Sequence, residues 1–126
     1  MDTRTKILTP AALAVLDPPR PLVAVAGRFE LLRAETVREL ADARRRTGAR
    51  SLVAVLRPFA GELAAVEARA ELVAALRVVD YVFIAPNEDF TGLAASLEAI
   101  ETVNLEEADA GRIRQLIEHV RSRQST

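Results

Sequence analysis

Residues 22–56 read LVAVAGRFELLRAETVRELADARRRTGARSLVAVL, and the alternation of two patterns within them decides the fold. Leu22-Val23-Ala24-Val25-Ala26 and Leu52-Val53-Ala54-Val55-Leu56 are short and almost wholly apolar, with valine prominent. Runs of this kind suit strands covered on both faces, as in a parallel sheet. Between them, Thr36 to Arg46 has a helical period, with Val37, Leu40, Ala41 and Arg44 on one face. The same alternation continues downstream. Glu62 to Leu76 repeats the spacing through Leu63, Val66, Ala70, Val73 and Leu76, and Val78 to Ile84 is a third apolar run. Strand–helix–strand–helix–strand order implies right-handed crossovers. The expected fold class is therefore α/β, a Rossmann-like doubly wound parallel sheet in a three-layer α/β/α sandwich.

The flanks extend this reading. Thr9-Pro10 predicts a helix start, with the threonine hydroxyl as N-cap and proline at the first position, running to about Leu16. Asp17-Pro18-Pro19-Arg20-Pro21 predicts a stiff connector into the first strand. Residues 1–21 are thus read as an N-terminal helix and Pro-rich connector. Leu93 to Ile100 predicts a further helix, Thr102 to Leu105 a fourth strand, and Ala108 to Arg121 a last helix with Ile113, Leu116, Ile117 and Val120 inward. Residues 122–126 read as a frayed polar tail. With 126 residues, half of them apolar, residues 1–126 make one domain.

Composition narrows the chemistry. The net charge is −1, from 17 basic and 18 acidic residues, which argues against a dedicated nucleic-acid binder. There is no cysteine, which excludes disulfides, thiolate metal sites and cysteine nucleophiles. His119 is the only histidine and Lys6 the only lysine, so 16 of the 17 basic residues are arginine. His119 has Glu118 beside it and no other ligand partner, and reads as a surface or interface residue. Schiff-base chemistry or a phosphate-loop lysine would have to use Lys6. No metal site is expected. The apolar runs are far shorter than the roughly 20 residues a bilayer requires, and the N-terminus lacks a signal-peptide apolar core. The expectation is a cytoplasmic protein without a membrane partner.

The first strand-to-helix turn carries a family resemblance. Residues 22–40, LVAVAGRFELLRAETVREL, resemble the start of the cytidylyltransferase-like family of nucleotidyltransferases, and within it the adenylyltransferase domain of ADP-heptose synthase. Gly27, Phe29, Leu31, Leu32, Val37, Leu40, Ala43 and Arg44 fall on matching positions, and Glu30 stands where the family has aspartate. Residues 69–82, RAELVAALRVVDYV, are similar to a second family stretch through Arg69, Leu72, Ala75, Leu76, Val79, Asp80 and Val82. Lys6-Ile7-Leu8 resembles the segment before that domain. The resemblance implies a nucleotide-binding fold, ATP or CTP with magnesium as the co-reactant, and a place in lipopolysaccharide precursor metabolism.

The same comparison exposes losses. The family's HxGH motif supplies two histidines that donate to the nucleotide phosphates as charge develops on pyrophosphate. Here those positions are Arg33-Ala34-Glu35-Thr36. Arginine and threonine can still donate, but Glu35 brings a negative charge to a helix start that should favour an anion. The polar turn after the second strand has become Leu56-Arg57-Pro58, its following lysine has no counterpart, and a glycine-rich segment before the last strand is missing. The Ser/Thr turn near the end has become Arg112-Ile113-Arg114. The expectation is a nucleotidyltransferase-like domain that has lost nucleotidyl transfer and acts as a binding or interaction module. The alternative is an active nucleotidyltransferase on a sugar phosphate, using Arg33 and Thr36 in place of the histidines.

Two readings stand side by side for each motif residue. Thr36-Val37-Arg38-Glu39 fits a capping box, in which Thr36 and Glu39 satisfy the free helix amides; the other reading is a retained phosphate site. Gly27 serves either the tight turn or a ligand. Gly27, Arg28, Arg33, Thr36, Arg57, Arg112 and Arg114 lie at the predicted carboxyl ends of the strands, where open α/β sheets bind ligands. They form the candidate nucleotide or phosphate site, and no residue is assigned a catalytic role beyond the degenerate positions Arg33, Glu35 and Thr36. The bland reading of the arginines is pairing with nearby acids. Arg44-Arg45-Arg46 ends a helix, where cations suit the dipole. A homodimer through the sheet edge or the Tyr81–Ile84 region is the expected partner besides a nucleotide or sugar phosphate.

Overall fold

A computed structural model of the chain describes residues 2–9, 12, 15–30, 32–58, 62, 64–85 and 98–106. Five parallel strands form one sheet: β1 (Ile7–Leu8), β2 (Leu22–Ala26), β3 (Ser51–Leu56), β4 (Tyr81–Ile84) and β5 (Glu101–Asn104). Their order across the sheet is β1-β4-β3-β2-β5, so the fold is Rossmann-like α/β as expected. Two helices connect the central strands, α1 (Ala34–Thr47) after β2 and α2 (Val66–Ala74) after β3. β1 is a strand that the apolar pattern does not announce, because two residues, Ile7 and Leu8, are too few to show a period. They pair with Val82 and Phe83 at the outer edge.

Register sorts the apolar residues onto two faces. Val23 lies beside Leu52 and Val25 beside Ala54, and these pack with Leu40 and Ala43 of α1 and Val66, Ala70, Val73 and Ala74 of α2. Leu22, Ala24, Val53, Val55 and Phe83 form the core of the other face, with Leu8, Tyr81 and Ala99 against it. Every residue of β2 and β3 is buried, which is why both strands read as unbroken apolar runs. Among the described residues both connecting helices lie on the first face. The expected helix over 108–121, with Arg112, Arg114 and His119, lies outside the described residues, as does 93–97.

Several boundaries differ from expectation for local reasons. Val78, Val79 and Asp80 are not strand: the Val79 N–H donates to Leu76 O at 3.2 Å, and Val79 is fully buried beneath the end of α2. The strand starts only at Tyr81 because the Asp80 carboxylate turns back into the sheet. Its Oδ2 accepts the Leu52 N–H at 2.8 Å and the Arg44 guanidinium at 3.0 Å. Residues 98–100 form a turn rather than the end of a helix, with Glu98 at φ 55°. At the N-terminus the threonine cap holds, since Thr9 Oγ1 accepts the Ala12 N–H at 3.2 Å. Lys6 is structural: its Nζ donates to the carbonyls of Leu76 and Val79, at 3.2 and 2.9 Å.

α1 ends in a Schellman motif. Gly48 has φ +66°, its N–H donates to Arg45 O, and the Ala49 N–H donates to Arg44 O. A Cβ on Gly48 would meet nothing within 4 Å, so Gly48→Ala tests the backbone alone. Urea denaturation is expected to show a loss of about 1–2 kcal/mol, the cost of a left-handed conformation for a residue with a Cβ. Gly48→Asn should keep most of the stability.

Candidate functional site

The strand order creates a topological switch point. The chain builds outward from β2 to β3 and β4, then crosses back to place β5 on the other side of β2. In open α/β sheets the crevice at the carboxyl ends of the two diverging strands is the ligand site. Here that edge is formed by Ala26 at the end of β2 with Gly27-Arg28 after it and Asn104 at the end of β5 with Leu105-Glu106 after it, with Arg57 after β3 alongside.

Gly27 is buried and its N–H donates to Val55 O at 3.3 Å, extending the sheet by one bond. The positive φ of this turn belongs to Phe29, at 53°, and Gly48 is the glycine with positive φ among the described residues. The left-handed position in the turn is therefore borne by a phenylalanine, not by Gly27. Phe29 is 1% exposed and packs in the first-face core.

The helix start also differs from the expected capping box. α1 begins at Ala34, three residues before the start at Val37 that would make Thr36 its N-cap. Thr36 instead sits in the first turn, 2% exposed, and its Oγ1 accepts the Arg33 N–H at 3.5 Å. Arg33 is the N-cap and is exposed; Glu35 is exposed in the first turn. A carboxylate so placed uses the positive end of the helix dipole itself. A hollow of about 470 Å³ runs along α1, lined by Glu35, Arg38, Glu39, Ala41, Asp42 and Arg45. Its three acids against two arginines make it a poor anion site.

Arg69 ties the loops of this edge together. It is 1% exposed. Its Nη1 donates to Arg28 O at 2.7 Å, its Nη2 to Arg57 O at 3.2 Å and to Glu62 Oε2 at 2.6 Å, and its Nε to Ala64 O at 3.1 Å. One side chain from α2 thus holds the turns after both β2 and β3. The Glu62 carboxylate and the Ala64 carbonyl are both taken up by the guanidinium, and α2 starts at Val66 and not at Glu62 as its periodicity predicts.

Above the edge, Arg57 makes a two-pronged ion pair with Glu106: Nε to Oε2 at 2.7 Å and Nη2 to Oε1 at 2.9 Å. Glu106 was not legible as a site residue, although the Asn104 two positions earlier is a turn signal. Asn104 Oδ1 accepts the Glu106 N–H at 2.9 Å and so aims it. The structure therefore brings Gly27, Arg28, Arg33, Thr36 and Arg57 to one edge and adds Asn104, Glu106, Glu62 and Arg69. Arg112 and Arg114 lie outside the described residues. The arginine triplet is spent on pairing: Arg44 with Asp80, Arg45 with Asp42 and Arg46 with Glu101.

Among the described residues, no group of three or more His, Asp or Glu side chains is placed to hold a metal ion. Among them too, no helix is long and apolar enough to cross a membrane.

No family model matches the chain, and no curated protein does. Among solved structures it is similar to the lipopolysaccharide core biosynthesis protein from Thermoplasma volcanium, with a TM-score of 0.57 and 17% identity over 64% of this chain and 70% of that one. At that identity the likeness concerns the fold, a parallel α/β sheet, and not the chemistry.

Proposed function

We propose that this chain is a nucleotidyltransferase-like domain that no longer transfers nucleotide and works as a binding or interaction module. The observation that carries the reading is the start of α1. At the positions where the resembling family has HxGH, Glu35 supplies a carboxylate to the helix N-terminus and the Thr36 hydroxyl is buried against the Arg33 N–H. A nucleotide triphosphate approaching that turn meets a like charge, at roughly 1 to 4 kcal/mol per charge pair at 4 Å depending on the dielectric. Transfer needs donors aimed at the developing charge on pyrophosphate; a hydroxyl buried at 2% exposure and a repelling carboxylate supply none. The ligand class we propose, a sugar phosphate or its nucleotide derivative, follows from the resemblance of residues 22–40 to the nucleotidyltransferase family; the archaeal protein agrees with it in fold alone.

The test is a pyrophosphate-release assay with ATP or CTP, magnesium, and a panel of sugar and alcohol phosphates. The expected result is no release above the protein-free background. Magnesium-dependent release that disappears in Arg33→Ala would replace this reading with an active enzyme using Arg33 and Thr36. Calorimetry with ATP, CTP and heptose phosphate tests the ligand: absence of heat up to millimolar concentration ends the ligand-binding part of the proposal.

A further inference from the structure

The Arg57–Glu106 pair stands in the sheet where a ligand would. Arg57 follows β3 and Glu106 follows β5, with β2 between those two strands. The pair therefore reaches across two strand spacings, about 10 Å, over the carboxyl end of β2. Its backbone ends are fixed: the Arg57 carbonyl is held by buried Arg69, and Leu105 donates to Ala26 O at 2.7 Å. Its head groups differ in setting: the Arg57 side chain is 49% exposed, whereas the Glu106 side chain is 15% exposed.

We infer that this pair is a self-occupied anion site, in which the Glu106 carboxylate holds the Arg57 fork until a phosphoryl group of the ligand displaces it. The inference rests on the reading of this edge as a ligand-binding site, and deepens it by naming the ligand's recognised group. A guanidinium fork that takes two carboxylate oxygens takes two phosphoryl oxygens with the same geometry. A phosphoryl group carrying more than one charge outcompetes a single carboxylate for it. With its Arg57 end in solvent the pair is screened and contributes little to folding, so the fork can turn away from Glu106 without loosening the domain. Entry of the anion swings Glu106 away from the end of β2, and Asn104 sets how readily it returns.

Titration calorimetry of the full chain with sodium pyrophosphate at low salt tests this. Glu106→Gln is expected to bind about tenfold tighter than wild type, having lost both the competing charge and its repulsion. Asn104→Ala, which frees Glu106 from its aiming hydrogen bond, should move affinity in the same direction by a smaller factor. The gain in Glu106→Gln should vanish when Arg57→Ala is added. Equal affinity of wild type and Glu106→Gln overturns the inference, as does a gain that survives loss of Arg57 or an absence of binding in every variant. Should Glu106→Gln not fold, Asn104→Ala carries the same comparison, and an affinity unchanged from wild type overturns the inference there too. Pyrophosphate release from nucleotide does not enter this readout, so the proposed function and the latch can fail separately.

Discussion

Arg69→Ala is expected to destabilise the domain by about 3–5 kcal/mol, the usual consequence of removing one partner from a buried charged network. Domains of this size are stable by about 5–15 kcal/mol, so the loss is a large share of the total. The reason lies in the partners. Removal of the guanidinium leaves the carbonyls of Arg28, Arg57 and Ala64 without it in a partly buried setting, and a carboxylate without its cation. Each buried acceptor left unmatched costs about 1–3 kcal/mol, reduced wherever water can enter. The ion pair is the smaller part, because the Glu62 side chain is 28% exposed and screened by solvent. Glu62→Ala is therefore expected to cost about 1 kcal/mol or less. Arg69→Lys should recover only part of the loss, since an ammonium cannot aim donors at carbonyls lying in three directions. Urea denaturation of the three variants checks this. Equal losses for Arg69→Ala and Glu62→Ala would show that the ion pair, and not the carbonyl clip, holds the loops.

Arg69 also marks where the sequence could be read and where it could not. The strands were legible because β2 and β3 are buried on both faces, and such burial leaves unbroken apolar runs with no need of side-chain detail. The helices were legible as periods but not as boundaries. An arginine within an apolar stripe, as Arg69 is between Val66 and Val73, reads as a solvated interruption; only the two connections that close over it, after β2 and after β3, make it an interior residue. The apolar Val78 and Val79 read as strand for the converse reason. Their burial comes from closing α2, while the Asp80 carboxylate fixes the point where the backbone enters the sheet. Arg44, Arg69 and Asp80 all belong to the residues that carry the family resemblance, and all three bind backbone carbonyls or amides. These three side chains thus form a framework of backbone clips.

The candidate site was less legible because pairing is a property of distance and not of spacing. Arg57 and Glu106 are 49 positions apart, and nothing in either neighbourhood singles out the other. Only the strand order, with β5 crossing to the far side of β2, brings them together. The Thr36 cap failed for a smaller reason: the pattern of threonine followed by glutamate allows a helix start at Thr36, but Arg33 already takes the extended N-cap conformation and the helix begins behind it. A shift of three residues changes the hydroxyl from the N-cap's own into a buried acceptor in the first turn.

Phe29→Ala is expected to cost about 3–5 kcal/mol, the range for truncating a buried aromatic residue. Phe29 is 1% exposed and among the largest fully buried side chains, directly under the turn that joins β2 to α1. Its φ of 53° makes the argument separable into two parts. A bulky residue in the left-handed region is strained, whereas glycine is not. Alanine keeps the strain and loses the packing; glycine loses the packing, and one methyl more, but relieves the strain. Phe29→Gly should therefore be no less stable than Phe29→Ala, although a methyl deletion at an ordinary buried position would lower stability further. Chemical denaturation of both variants decides between the parts. If Phe29→Gly is clearly the weaker of the two, the turn is not strained and packing alone explains Phe29. If it equals or exceeds Phe29→Ala, the aromatic ring is what holds the site turn in a backbone conformation it would otherwise leave. The consequence reaches the anion site: Arg28, whose carbonyl is gripped by Arg69, is the residue before Phe29, and Gly27 precedes it. A turn freed at Phe29 moves the floor beneath the Arg57–Glu106 pair. Phe29→Ala is thus expected to weaken pyrophosphate binding in the Glu106→Gln background even at temperatures where the variant remains folded.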